Sequence, residues 1–227
     1  MIASFVVALS VESRGALVTN VTDIDDALVI DFSQFAGSLA FTSGPIQIGG
    51  PVGENIEYSS TFSSSVIGEP VPPGNYGLGS NAFWNNGRQG FVGINSDTAT
   101  IRFDFNDGLV SEVGGFVNYD PGAATDFVIS AIDSNNTVLE SYNISDDAPI
   151  STNGFPNDGA FRGISRATQD IAAFSITGAQ GVLDNLTFGP RQAVAVPEPS
   201  VFSVLGIAGC FTTIFRRSKS EPASSVA

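Results

Sequence analysis

Apolar and polar residues alternate at a period of two along much of this chain, and no other feature limits its fold more. The clearest case runs from Thr100 to Phe105, where Ile101, Phe103 and Phe105 alternate with polar residues. This period places one set of side chains on one face of a β-strand. No segment shows a convincing 3.6-residue period of an amphipathic helix. The sequence therefore predicts an all-β body.

Eight or so short strands are predicted, each bounded by residues that favour turns. They cover residues 27–32, 100–105, 110–119, 127–132, 137–144, 161–164, 170–177 and 182–188. Asn106-Asp107-Gly108 and Asp133-Ser134-Asn135-Asn136 are typical turn sequences, and such turns join antiparallel strands. Gly114-Gly115 predicts a β-bulge. Strands of this length and spacing favour an antiparallel β-sandwich.

The segment 69–90 is predicted to be a long irregular loop, because it is rich in Pro, Gly and Asn. Long loops in compact domains are usually functional or mobile. Tyr76, Phe83 and Trp84 lie in this loop and could form a stacking platform for a sugar. The alternative is that these three rings pack the loop onto the edge of the sandwich. The sequence leaves both interpretations open.

One acidic residue is predicted to be buried. In strict alternation Asp184 shares a face with Val182, Leu186 and Phe188, so it should point toward the core. A buried carboxylate must be hydrogen-bonded, paired or bound to a metal. We expect backbone N–H groups of the adjoining chain end to satisfy Asp184. A structural Ca²⁺ ion, held with further oxygen ligands from the N-terminal strand region, is the alternative.

The residue types in the chain exclude several classes of function. The chain has no His, and its only Cys is Cys210, so Ser-His-Asp and Cys-His catalysis are excluded. Residues 16–196 hold twenty of the 23 acidic and five of the nine basic residues, a net charge of −15. A body this acidic is not expected to bind nucleic acid. Glycoside hydrolysis by a carboxylate pair needs no His, but no glycosidase motif is visible, and we expect no enzyme activity.

A separate unit is predicted at the C-terminal end of the chain. Residues 201–215 carry no charge, and Arg216, Arg217 and Lys219 follow at once. Fifteen helical residues span roughly 22 Å, against about 30 Å for the hydrocarbon core of a bilayer. Basic side chains can snorkel and so extend a short span. We therefore expect a short transmembrane helix over 201–215, with a buried core helix as the alternative.

The motifs of this C-terminal unit follow a recognisable order. Pro197, Glu198 and Pro199 precede the apolar run, and Arg216 and Arg217 end it. Together they resemble the PEP-CTERM sorting domain, which is found on exported bacterial proteins. The tails of that family are thought to be recognised and cleaved by a membrane enzyme, exosortase. The resemblance implies a sorting tag at 193–219 and an exosortase-type partner, and we expect a disordered tail at 220–227.

The N-terminal end fits export as well. Residues 2–11 are apolar and lead to small residues, a pattern that resembles a secretory signal. We expect the signal to cover residues 1–16, with cleavage after Gly15 or Ala16, and the sandwich domain to cover 17–192. The basic segment that usually precedes a signal core is missing, so we expect the true start to lie upstream of Met1; an atypical signal is the alternative.

The body also resembles a jelly-roll domain common in proteins with such tags. The residues that carry this resemblance are Asp31-Phe32, Gly115-Phe116, Phe161-Arg162-Gly163-Ile164 and the run from Asp184 to Phe188. Both resemblances imply a non-catalytic protein that is anchored in the membrane by its C-terminus. They imply that it is then sorted to the cell surface or the extracellular matrix, where exopolysaccharide could be a partner. The alternatives are a carbohydrate-binding module that uses the loop at 69–90, and a glycoside hydrolase.

Overall fold

A computed structural model of the protein describes residues 15–37, 39–69, 76–84, 90–152 and 159–189, which belong to one compact unit. Their strands are β1 (Ala16–Val18), β2 (Leu28–Ile30), β3 (Leu39–Phe41), β4 (Ile46–Gln47), β5 (Ile56–Ser60), β6 (Val66–Gly68), β7 (Tyr76–Gly77), β8 (Phe83–Trp84), β9 (Phe91–Gly93), β10 (Thr100–Phe105), β11 (Glu112–Asn118), β12 (Val128–Ile132), β13 (Val138–Asn143), β14 (Ala160–Ser165), β15 (Ala173–Thr177) and β16 (Val182–Phe188). One short helix, α1 (Ile144–Asp147), and four short 3-10 helices connect them.

The strands form two large sheets and one small hairpin. In sheet A the order is β1-β14-β11-β16-β9-β6-β3, and β2 also pairs with β16. In sheet B the order is β13-β12-β15-β10-β5-β4, and β7 and β8 pair with each other. Every pair among the described strands is antiparallel. The prediction of an all-β, antiparallel body is confirmed.

The two sheets pack face to face around one apolar core. Phe103 of sheet B lies at its centre, where its ring contacts Phe32, Tyr58 and Phe174 at centroid distances of 6.3 to 6.5 Å. Phe105 of sheet B meets Phe188 of sheet A at 5.3 Å. Aromatic contacts of this kind add to the stability gained from burial. The arrangement is that of a β-sandwich.

The predicted strands with clear alternation are confirmed. Ile101, Phe103 and Phe105 face the core, and β12 and β13 form the predicted hairpin around Asp133. The Asp133 carboxylate accepts hydrogen bonds from the N–H groups of Asn135 and Thr137, and the bond from Thr137 most lowers its pKa. The sequence correctly identifies 133–136 as a turn.

Four short strands of sheet A were not predicted, namely β1, β3, β6 and β9. Each has three residues, which is too short to show alternation. All residues of β6 and β9 are buried, because sheet A is covered on both faces. On its outer face Val18, Ile24 and Phe161 form a small apolar cluster.

A β-bulge lies at the centre of sheet A. Gly114 pairs with Thr187, but Phe116 pairs with Asp184, so β16 carries one extra residue here. Asn185 takes up the irregularity with φ of 51°. A Cβ atom at Gly115 would lie 2.9 Å from Leu183 Cγ and 3.0 Å from the carbonyl oxygen of Asp184, so a larger residue there would require the neighbouring strand to shift. The bulge predicted at Gly114-Gly115 is present, with its extra residue on the partner strand.

Candidate functional site

Trp84, the only Trp of the chain, is packed against the outer face of sheet A. It is 1% exposed and clusters with Val66, Leu78, Phe91 and Val182. A Cβ atom at Gly159 would lie 3.0 Å from its ring, so the backbone there covers it closely. In this conformation the Trp84 ring has no open face for a sugar. Of the two interpretations of the loop, the geometry fits packing onto the sandwich.

Of the other two predicted platform residues, Tyr76 is paired with Trp84 across the hairpin and packs against the same cluster, whereas Phe83 lies on the opposite face of β8. Tyr76 packs edge-on against Phe91 at 5.6 Å, and its hydroxyl accepts a hydrogen bond from the N–H of Asn95 at 2.5 Å. Burial raises the pKa of the Tyr76 hydroxyl well above its ordinary value. Phe83 is 47% exposed. The segments 70–75 and 85–89, which flank this hairpin, lie outside the described residues.

The hairpin turn before Trp84 carries backbone strain. Ala82 has φ of 66° and ψ of −128°, a region of conformation that glycine adopts freely and other residues avoid. Its N–H donates to Gly79 O, and its carbonyl accepts from the N–H of Leu78. These two hydrogen bonds hold the turn closed despite the strain.

We expect Ala82→Gly to raise the free energy of unfolding by about 1 kcal/mol. Relief of strain at such a position stabilises the folded protein by about 1–3 kcal/mol. Glycine also has more freedom in the unfolded chain, which reduces this gain by about 0.4–1 kcal/mol. Urea denaturation of both proteins measures the change. The control is Ala167→Gly at an exposed bend, which should lower stability slightly. A loss of stability in Ala82→Gly would contradict the strain.

Asp184 is fully buried, as the sequence predicted, but its neighbours differ from those predicted. Leu183, Leu186 and Phe188 belong to the main core, whereas Val182 belongs to the outer cluster. The bulge at Asn185 breaks the alternation, so Asp184 faces the outer side of sheet A, away from Leu186 and Phe188. The grouping of Asp184 with those two residues is therefore corrected.

The Asp184 carboxylate is held by its own strand. Its Oδ1 accepts a hydrogen bond from the N–H of Asn185 at 2.6 Å. Charge-assisted bonds of this kind are strong. Within the described residues, no group of three or more acidic, His or Cys side chains is arranged to hold a metal ion. The donor is a backbone N–H, as expected, but it belongs to the next residue of β16 and not to the adjoining chain end.

A buried amide network joins three loops at one end of the sandwich. The side-chain amide of Asn81 donates to Asn118 Oδ1 at 2.8 Å and to the carbonyls of Tyr119 and Ile150 at 3.1 Å. Thr152 completes the network through its N–H and hydroxyl, which both donate to Asn81. The pattern of apolar and polar residues does not indicate that Asn81 is buried in a hydrogen-bond network, because its partners lie 37 to 71 residues away in the sequence.

An open depression with a volume of about 590 Å³ lies beside a cluster of charged residues. It is lined by Ser111, Arg166, Ala167, Thr168 and Gln169. The guanidinium of Arg166, whose side chain is only 7% exposed, donates to Asp170 at 2.6 Å and to Glu140 at 2.9 Å. Arg166 is thus already bound to two carboxylates. This cluster was not predicted from the sequence.

We expect the ion pair of Asp170 to make stability depend on pH. Burial raises the pKa of Asp170, but hydrogen bonds from Arg166 and Thr168 outweigh burial and lower it overall. A carboxylate whose pKa is lowered by folding stabilises the protein at every pH above its pKa in the unfolded chain, about 3.9. This stabilisation is lost as the pH falls through the pKa of the folded state. In denaturant titrations between pH 7 and 2, Asp170→Asn should lose less stability on acidification than wild type. Asp26→Asn, at an exposed turn, is the control and should follow wild type.

The predicted sorting residues, Pro197, Glu198 and Pro199, lie outside the described part of the chain. The same holds for Arg216, Arg217 and Lys219 and for the predicted transmembrane helix at 201–215. Among the described residues, no helix has the length and apolar character needed to cross a membrane.

Comparison with solved structures gives distant similarities, among them two domains of lectinolysin. No protein-family model matches the sequence, and no curated protein matches it. A His 62 mutant of the lectin binding domain of lectinolysin, complexed with Lewis b, is 12% identical, covering 61% of this chain and 93% of that one with a TM-score of 0.33. The lectin domain of lectinolysin complexed with Lewis B antigen is 11% identical, covering 62% and 94% with a TM-score of 0.31. At these TM-scores the similarity supports no inference about this chain.

Proposed function

We propose that this chain is an exported, non-catalytic protein of the bacterial cell envelope or extracellular matrix, sorted to the surface through a C-terminal PEP-CTERM tag. The observation that carries the proposal is the order of three motifs in the sequence. Pro197-Glu198-Pro199 comes first, the uncharged run 201–215 follows, and Arg216, Arg217 and Lys219 end it. An exosortase-type membrane enzyme is the proposed partner of this tag.

The described body is a compact β-sandwich, and the last described residue, Gly189, directly follows β16. The tag therefore begins only a few residues after the last strand of the sandwich. Strands that follow each other in sequence often lie in opposite sheets, as β9 and β10 or β15 and β16 do. This supports our assignment of the body to the jelly-roll type.

The chemistry of the body supports a structural role. The chain has no His and an excess of acidic residues. Its polar clusters at Asn81 and at Arg166 are closed by hydrogen bonds within the protein. We propose that the sandwich acts as an acidic, hydrated module of the matrix and that only its tag is recognised by an enzyme.

Replacing Pro197, Glu198 and Pro199 together with alanine tests the sorting function. We expect the variant to be exported but retained in the inner membrane, because the apolar run and the basic end remain while the recognition motif is gone. Fractionation with detection of the body measures the distribution. Glu221→Ala with Pro222→Ala is a matched control, since it removes the same residue types beyond the basic end. A triple variant that reaches the surface as wild type does would refute the sorting role.

A further inference from the structure

Four of the described strands stand at the ends of the two large sheets, β1 and β3 in sheet A and β4 and β13 in sheet B. A strand in this position presents backbone groups that can pair with another chain. β1 and β13 are tied to each other through Gly15, just before β1. Its N–H donates to Glu140 Oε1 at 2.5 Å, and its carbonyl accepts from the Tyr142 hydroxyl at 3.1 Å. Glu140 also binds Arg166, so this side of the sandwich is charged.

Of the two remaining edge strands, β4 carries features that discourage pairing. Pro45, which lacks a backbone N–H, directly precedes it, and the side-chain amide of Gln47 donates to the carboxylate of Glu57 in β5 at 3.3 Å. Proline and charged groups are the usual protection of a sheet edge. β3 has neither, and no described strand pairs with its outer edge. Among the described strands, β3 is therefore the unprotected edge.

The backbone groups of Leu39 and Phe41 point away from β6. The N–H of Thr42, the next residue, donates to Ser65 O, just before β6, at 2.7 Å. Along antiparallel strands the N–H and C=O groups of alternate residues point to the same neighbour. Thr42 and Ala40 therefore direct these groups at β6, whereas Leu39 and Phe41 direct theirs at the open edge.

The ring of Phe41 is exposed at the same edge. Phe41 is 65% exposed, the largest value for a large apolar residue in the described part of the chain. Leu39, two residues earlier and on the same face, packs against the outer cluster, and Phe41 is paired with Val66 of that cluster. The Phe41 ring thus lies at the rim of the outer cluster, where a further strand would cover it.

The distribution of charge favours a second copy of this chain as that further strand. The chain has a net charge of −14, yet residues 32–53 and 58–68, which contain β3, β4 and β6, include no acidic or basic residue. Two acidic bodies repel each other, and at this edge they approach with the least repulsion. A basic partner would be attracted to the acidic surfaces instead. A second copy also brings an edge with the same outward-facing groups.

We propose that β3 pairs with β3 of a second copy of this chain, antiparallel and about a two-fold axis at Ala40, so that sheet A continues across both molecules. Leu39 then exchanges both backbone hydrogen bonds with Phe41 of the second copy. Each Phe41 ring is covered by Leu39 of the other copy, a cross-strand pair on the outer face. The two-fold axis makes the contact closed, so it gives a dimer and not a filament. The contact uses the described body alone and does not depend on the sorting tag.

Disulfide cross-linking of the full chain tests this register. Across the two-fold axis the two Ala40 residues form a non-hydrogen-bonded pair with Cα atoms ~4.5 Å apart, within the range for a disulfide. Ala40→Cys, in a chain with Cys210→Ser so that no other Cys remains, should give a disulfide-linked dimer on mild oxidation. Val138→Cys is the matched control, because Val138 is 55% exposed on the edge strand β13, and it should stay monomeric.

Phe41→Glu tests the contribution of the edge itself. The variant should fold, because the Phe41 side chain is largely exposed, and it removes both rings and places two like charges in one short interface. We expect the cross-linked fraction of Ala40→Cys to fall about tenfold or more. Phe83→Glu, at a ring that is 47% exposed in β8, should leave this fraction unchanged. Added salt should raise the cross-linked fraction without Phe41→Glu, because it screens the repulsion between the acidic bodies.

Three results would overturn the pairing of β3. Equal cross-linking of Ala40→Cys and Val138→Cys would mean that random collision or the predicted membrane tag brings the chains together. Cross-linking that persists undiminished in Phe41→Glu would exclude β3 as the contact. If Phe41→Glu abolished binding of matrix polysaccharide and left cross-linking unchanged, the edge would bind a glycan and not a second copy. If the sorting test fails but Ala40→Cys cross-links as expected, the proposed function falls while the dimer stands.

Discussion

Trp84→Ala is expected to lower the free energy of unfolding by about 3–5 kcal/mol, the usual range for emptying a buried Trp site. Trp84 is 1% exposed and is the largest member of the outer cluster with Val66, Leu78, Phe91 and Val182. Those residues come from strands β6, β9 and β16 and from the hairpin itself. Removal of the ring would leave a cavity between the hairpin and sheet A.

Chemical denaturation of the two proteins, followed by circular dichroism, measures this loss. Phe83→Ala is the matched control, because Phe83 is adjacent in β8 but 47% exposed, and it should cost less than about 1 kcal/mol. The same variants on a glycan array address the carbohydrate hypothesis. If Trp84→Ala abolished glycan binding and left stability unchanged, the ring would be a binding platform, and the packing described above would be wrong.

The sequence predicts a strand well where only one of its faces is buried. In β10 the buried Ile101, Phe103 and Phe105 alternate with partly exposed residues, so the period of two is visible. Strands buried on both faces lack this signal. Val66, Ile67 and Gly68 of β6 are all buried, and nothing in three apolar residues distinguishes a strand from another buried segment.

The role of the loop at 69–90 could not be decided from the sequence for a related reason. A sugar platform and a packed anchor require the same aromatic residues. The choice depends on whether another surface covers Trp84, and the covering residues include Val182, about a hundred positions away in the chain. The contact between Gly15 and Glu140, which spans 125 positions, was hidden for the same reason.

The error at Asp184 has a local cause. The prediction assumed that successive side chains point strictly to opposite faces of the sheet, and a β-bulge interrupts this alternation. Gly114-Gly115 indicated a bulge, but the sequence does not tell which of two paired strands carries the extra residue. Asn185 is consistent with that position, because Asn tolerates the left-handed conformation better than most residues.

The bulge determines which side chains of β16 belong to the main core and which belong to the outer cluster. Before Asn185, Leu183 faces the main core and Val182 the outer cluster. After Asn185, Leu186 and Phe188 return to the main core. A shift of one residue in a strand moves every following side chain to the other face. Because Asn185 is an extra residue, its left-handed conformation, with φ of 51°, is what keeps Leu186 and Phe188 in the core.

Asn185→Val is accordingly expected to lower the free energy of unfolding by about 1–2 kcal/mol, the cost of a left-handed conformation for a residue with a bulky side chain. A β-branched residue avoids φ of 51°, and an extended conformation at this extra residue would turn Leu186 and Phe188 out of the core. Asn185→Gly is the matched control, since glycine adopts φ of 51° without strain, and it should change stability by less than about 1 kcal/mol. Chemical denaturation of the three proteins measures both changes. An Asn185→Val variant as stable as wild type would mean that the left-handed conformation at residue 185 does not set the register of β16.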